Sequence, residues 1–177
     1  MIQEFDGKEP EIHETAYVHP SATIIGDVEI GARSSVWPGA VIRGDLARVE
    51  IGRYTCVQDN AVVHTDYGKF GNEGEFPMVE LGDYVVVGHQ ALIHGAKIHD
   101  ECLIGAGSTV FNRAVIHEHA LVGLGAVVLE DTEVPPRKVV VGIPSRELRE
   151  IDEENLDKFR QSAEDYADLA ARYKDQL

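Results

Sequence analysis

Residues 98–134 read IHDECLIGAGSTVFNRAVIHEHALVGLGAVVLEDTEV, and within them Ile98, Ile104, Val110, Ile116, Val122, Val128 and Val134 recur at every sixth position. A helix buries one face with a period of about 3.6 and a half-buried strand with a period of about 2. Six fits neither as a long element. It fits short strands joined by tight bends. Working outward, the same spacing returns in Val18, Ile24, Ile30, Val36 and Ile42, then in Ile51, Val57 and Val63, then in Leu81, Val87 and Ile93. Small residues stand two positions before the next aliphatic one, among them Ala22, Ser34, Ala40, Thr55, Ala61, Ala91, Ser108, Ala114, Ala120 and Ala126. A bend that crowds a narrow interior requires small side chains there. Three hexads make an 18-residue coil with three faces, and such coils stack as a triangular prism at about 4.8 Å per rung. A conventional β-sandwich is the competing reading, and four phased runs weigh against it.

This pattern resembles the hexapeptide-repeat superfamily, whose members are left-handed parallel β-helices. Handedness comes from that resemblance and not from the period. The repeat covers residues 18–134. Its breaks are informative. The step from Ile42 to Ile51 is nine, so three extra residues enter around Leu46 to Arg48. Between Val63 and Leu81 the phased positions are Lys69 and Glu75, which do not suit a dry interior. Residues 66–77 therefore read as a protruding loop. After Pro144 the spacing changes: Leu156, Phe159, Ala163, Tyr166, Ala170 and Tyr173 alternate steps of three and four. The expected organisation is a β-helix over 1–143, then a helical segment over 144–177 that covers one face. Asp152 is a candidate cap, and Leu148 and Ile151 fall in a short turn before the helix.

Composition narrows the function. The chain has 177 residues, 44% of them hydrophobic, and a net charge of −15. Such a surface repels nucleic-acid phosphates and anionic membranes. No apolar run approaches the roughly 20 residues of a membrane span, and no signal peptide is visible. Cys56 and Cys102 are too few for a disulfide framework, so a cytoplasmic address is expected. Both read as buried thiols, because nothing electropositive lies nearby.

Of eight histidines, His13, His19, His99, His117 and His119 have ordinary surface readings. His64 and His94 each follow an inward residue and lie 30 positions apart; without the 12-residue loop, 18 remain, one full coil. His94 therefore stacks on His64, facing outward, at a spacing that suits two imidazoles on one metal. His89 belongs to the preceding face and points elsewhere. An open catalytic zinc site needs three protein donors, so His89 serves a neighbouring chain in a threefold trimer. Stacked surface histidines without metal satisfy the same register.

The segments Arg43-Gly44-Asp45, Gln58-Asp59-Asn60 through His64, and Gly88-His89 through His94 resemble the γ-class carbonic anhydrases and their short relatives. The resemblance implies that His64, His89 and His94 bind the metal, with His89 donated across a homotrimer interface. It assigns Gln58 to orienting hydroxide and substrate, and Arg43 and Asp45 to an ionic contact at the subunit seam. Asp59 stacks beside His89 and reads as its tautomer-fixing partner. The implied reaction is reversible hydration of CO2 to bicarbonate, with Zn2+ as the expected metal and Fe2+ or Co2+ compatible with the same donors. One departure stands out. The family's prototype has a glutamate next to the Arg-x-Asp segment, where this chain has Leu46. A proton shuttle is not assigned; Asp66, Tyr67, Glu73 and Glu75 are the polar groups nearby. Leu46 motivates a second reading, a metal-binding scaffold with little or no activity. A hexapeptide acyltransferase is a third, disfavoured by three co-registered histidines and the lack of a basic nucleotide cleft.

Overall fold

The computed structural model describes residues 1–66 and 78–176. Its body is a parallel β-solenoid with three faces. The first face stacks Tyr17–Val18, Ser35–Val36, Cys56–Val57, Val86–Val87, Leu103–Ile104, Leu121–Val122 and Lys138–Val141. The second carries Val62–His64, Leu92–His94, Thr109–Val110 and Val127–Val128, and the third Val79–Leu81, Lys97–Ile98, Val115–Ile116 and Glu133–Val134. Two long strands, Thr23–Ile30 and Val41–Ile51, run through the corner between these two faces and join them into one sheet.

The six-residue period is the cause of this shape. Ile24, Ile42, Val63, Ile93, Val110 and Val128 point inward and are fully buried. They stack rung upon rung, with Ile42 paired to Val63, Val63 to Ile93, Ile93 to Val110 and Val110 to Val128. Each such side chain contributes about 1.5–3 kcal/mol relative to exposure. The small positions line the corners, and two of the three polar ones, Ser34 and Thr55, bond to the next rung. The Ser34 hydroxyl donates to the Gly52 carbonyl at 2.6 Å and accepts from the Thr55 N–H, while the Thr55 hydroxyl donates to the Gly82 carbonyl at 2.6 Å. Hydroxyls are tolerated in this interior because the next rung satisfies them.

The corners turn through left-handed residues. Gly95, Glu101, Gly107, Arg113, His119, Gly125, Asp131 and Arg137 all have positive φ, one every six residues. Six of the body's corner glycines serve a different purpose. Gly31, Gly52 and Gly82 stack in one column, and a Cβ on Gly52 would come within 2.6 Å of the Gly82 carbonyl. The nine-residue step is a bulge: Gly26 pairs with Gly44 and Val28 with Val49, so Asp45 to Arg48 oppose Asp27 alone.

The helix Asp157–Lys174 lies on the first face. Phe159 packs against Val139, Ala163 against Tyr84 and Val86, and Ala170 against Tyr17, Trp37 and Cys56. It therefore runs from the last coils back to the first. Asp168 pairs with Arg33 at 2.6 Å, and the Lys174 ammonium donates to the Glu14 carbonyl. Two expectations need correction. Residues Arg146–Glu150 form a strand antiparallel to Lys138–Val141, not a turn; Leu148 is 61% exposed there, while Ile151 is buried beneath the helix. Asp152 starts a 3-10 turn, Glu153–Asn155, but makes no side-chain capping bond, and neither does Leu156 at the start of the helix. The proposed loop 66–77 lies outside the described residues except for Asp66. No described helix is long and apolar enough to cross a membrane.

Candidate metal centre

His64 and His94 end adjacent strands of the second face and pair directly in register, with Arg43 one rung below. Their imidazoles face each other, with His64 Nδ1 3.3 Å from His94 Nε2. The outward nitrogens are engaged. His64 Nε2 lies 3.1 Å from Asp45 Oδ1, and Asp45 also pairs with Arg43. His94 Nδ1 lies 2.6 Å from Asn112 Oδ1, and the Asn112 amide donates to Asp66. The His94 ring also stacks on Phe111, with centroids 5.1 Å apart.

These partners determine where the protons sit. A carboxylate only accepts, so Asp66 turns the Asn112 amide nitrogen toward itself and the amide oxygen toward His94. His94 Nδ1 must then be the N–H donor. Asp45 is likewise an acceptor and takes the His64 Nε2 proton. Burial pulls the Asp45 carboxyl upward, but hydrogen bonds from Arg43 and His64 outweigh it and hold it below the ordinary carboxylate range. When both rings are neutral, the two facing nitrogens are bare, lone pair to lone pair. A cation between them relieves that repulsion.

Burial is the largest influence on His64 and lowers its pKa below the ordinary 6.5, with Arg43 and His94 acting in the same direction and Asp45 opposing them. Neutral His64 is what a metal requires. The depressed value also has a stability consequence. Below pH 6.5 the unfolded chain binds protons that the folded chain resists, so stability is full above that pH and declines as pH falls through the folded value. In urea titrations of metal-free protein, the His64→Gln variant should lose less stability than the parent between pH 7.5 and pH 5.5. Equal losses would refute this.

His89 sits at the corner between the first and second faces. Its Nδ1 lies 2.9 Å from Asp59 Oδ2, and its backbone N–H donates to Gln58 Oε1 at 3.1 Å. Gln58 is buried, whereas the His89 side chain is 52% exposed. In the neutral ring Asp59 takes the Nδ1 proton, which leaves Nε2 bare toward solvent. The chain brings His64 and His94 together with Arg43 and Asp45, and separately brings His89 together with Gln58 and Asp59. Among the described residues no three metal-binding side chains converge within the single chain. Arg43 and Asp45 pair with each other within the subunit.

Two contributors were not singled out from sequence, Asn112 and Phe111. The coil length could have found Asn112, because it lies 18 residues beyond His94. Asn112→Leu should lower zinc affinity about 10–100-fold, the usual effect of removing a partner that orients a ligand. Asn112→Asp keeps the acceptor oxygen and should stay within a few-fold of the parent. Competition against a chelator measures both, and equal loss in the two variants would show that Asn112 does not orient His94.

Residues 16–167 match, and place the chain in, the sequence family described as dynactin subunit 5. Gamma carbonic anhydrase 1, mitochondrial, of Arabidopsis thaliana is 40% identical over 170 residues, covering 96% of this chain and 61% of that protein. The probable carbonic anhydrase of Methanocaldococcus jannaschii is 43% identical over 159 residues, covering 90% of this chain and 95% of that protein. The chain belongs to the γ carbonic anhydrase family. It spans about three fifths of the length of the plant members and nearly all of the archaeal one. A solved structure of a putative acetyltransferase from Bacillus cereus superposes with a TM-score of 0.93 at 33% identity, over 100% of this chain and 98% of that one.

The γ carbonic anhydrase family implies a metal, and the donors of this member fit one. Two nitrogens each about 2.0–2.1 Å from one ion at a tetrahedral angle stand about 3.4 Å apart. His64 Nδ1 and His94 Nε2 are separated by 3.3 Å. Neutral imidazole donors suit zinc, iron or cobalt, and do not suit magnesium or calcium, which prefer oxygen.

Proposed function

We propose that this chain is a metal-dependent carbonic anhydrase that works as a cytoplasmic homotrimer and interconverts CO2 and bicarbonate. His64 and His94 of one subunit and His89 of the next would hold the ion, Zn2+ by preference, with Fe2+ or Co2+ as alternatives. The single observation that supports this reading most is the 3.3 Å approach of two nitrogens that their partners leave without protons. His89 supplies the third donor in this reading because Asp59 holds its Nδ1 and its Nε2 is free to face a neighbour.

When bound, such an ion supplies Lewis acidity that makes hydroxide available near neutral pH. The chain's own residues do the rest. Asp45 and Asn112 hold His64 and His94 in the tautomers that present lone pairs. Asp59 does the same for His89. Gln58 fixes the His89 backbone and so sets where that ring leaves the surface; its remaining amide N–H groups are available to orient substrate. Arg43 holds Asp45 and, in the trimer, lies at the seam. Each turnover in the hydration direction forms a C–O bond and releases one proton to buffer. Stopped-flow CO2 hydration on protein with one metal per chain tests the proposal. Activity that vanishes in His64→Ala, His89→Ala and His94→Ala supports it. A null rate in fully metallated trimer, at every buffer concentration, overturns it.

That null rate would instead favour a scaffold that keeps metal and trimer but not catalysis. Two observations favour this second reading. The match to the dynactin subunit 5 family covers most of the solenoid, from residue 16 onward. The bulge also carries an apolar residue, Leu46, and Asp45 beside it is already committed to Arg43 and His64. Transfer from acetyl-CoA is less suited to this chain, since a groove on the third face sets Glu29, Glu50, Glu80 and Asp100 against Lys97 and His99, an acidic excess that disfavours nucleotide phosphates.

A further inference from the structure

The large apolar side chains that solvent reaches include Leu124, 80% exposed, and Leu129, 50% exposed. The register of the solenoid gives each an address. Val87 pairs with Ile104 and Ile104 with Val122, so His89, Ala106 and Leu124 occupy the same corner on successive rungs. Ile93 pairs with Val110 and Val110 with Val128, so His94, Phe111 and Leu129 occupy successive rungs at the far end of the second face. Leu124 is therefore two rungs above His89, and Leu129 two rungs above His94.

Suppose His89 of one subunit meets His64 and His94 of the next. The corner column of one copy then lies against the face column of its neighbour. A threefold axis parallel to the solenoid leaves height along that axis unchanged, so each rung meets the same rung of the partner. His89 and His94 share one rung. Leu124 and Leu129 share the rung two higher, about 10 Å away at the strand spacing. We infer that Leu124 of each subunit packs on Leu129 of the next copy, forming an apolar latch above each metal site.

The occupant of this surface is a second copy of the chain, because the same chain carries both halves and, among the described residues, brings no third metal donor to His64 and His94. The contact is head-to-tail, and three of them close a ring. Burying two leucines that are otherwise exposed also explains why apolar residues stand at outward positions of an otherwise strongly acidic surface. The latch rests on the trimeric reading proposed above, and the two can fail separately.

Sedimentation velocity at micromolar concentration tests it on the full chain. The parent should be a trimer. Leu124→Glu and Leu129→Glu should each weaken assembly at least 100-fold and leave monomers with unchanged circular dichroism, since both positions are largely exposed. Leu124→Lys combined with Leu129→Glu in one chain should restore the trimer through an ion pair at every seam. Leu148→Glu, at an exposed leucine on the last strand, should leave the trimer intact. A parent trimer whose two glutamate variants remain trimeric would overturn the latch and spare the trimer. A parent that is monomeric at all concentrations would overturn the trimer itself. Glutamate variants that dissociate without rescue by the Lys–Glu pair would show that the two leucines do not face each other.

Discussion

His94→Ala should bind zinc on the order of a thousand-fold more weakly than the parent, the scale set when one donor of a high-affinity zinc site is lost. His64→Ala and His89→Ala should show the same loss, although His89 touches neither of the others within a chain. The expectation follows from proton positions. Asp45, Asn112 and Asp59 each take one imidazole proton, so the three remaining nitrogens are free to ligate. His99→Ala is the control, because His99 stacks on His117 on a different corner, with ring centroids 5.2 Å apart. Isothermal titration with zinc, in competition with a chelator, measures the series. A His89→Ala chain that keeps parental affinity would remove the intersubunit donor from the account.

The second large effect concerns the prism interior. Ile116→Asp should abolish folding at room temperature, whereas Val115→Asp, one residue away, should cost about 1 kcal/mol or less. Ile116 is fully buried and its neighbours along the axis, Ile98 and Val134, are aliphatic. A carboxyl there meets no partner and no water, so it is forced to the neutral acid with its hydrogen bonds unmade while the isoleucine packing is lost, and together these remove most of the stability of a typical domain. Val115 faces outward between Lys97 and Glu133, and an aspartate there can pair with the lysine. Urea denaturation followed by circular dichroism compares them. Similar destabilisation by the two substitutions would contradict the inward–outward alternation on which the fold rests.

Much of this architecture was legible in the residues. The six-residue period specified the inward row, and the coil length specified that His64 and His94 stack and that Asp59 lies beside His89, because in a solenoid sequence distance converts directly into height. The helix stripe was equally readable from its three- and four-residue steps. What escaped the period was structure that does not repeat. Arg146–Glu150 reads as charged residues with one leucine, and it forms a strand only because the edge of the first face offers it unpaired backbone groups. The bulge of Asp45 to Arg48 was visible as three extra residues, but its use of Asp45 to hold His64 was not. Asn112 was missed because a single polar residue two places after an inward valine looks like ordinary corner chemistry until the coil places it against His94.

The measurement that bears most directly on the shared site is complementation between two defective chains. His89→Ala chains keep an intact face and His64→Ala chains keep an intact corner, and each alone should purify without tightly bound zinc. Co-refolded in equal amounts, they should form trimers in which about a quarter of the seams pair an intact face with an intact corner, and zinc should return in that proportion with a parental dissociation constant. Mixed trimers that regain no zinc, or either variant alone binding as tightly as the parent, would contradict a metal centre built from two subunits.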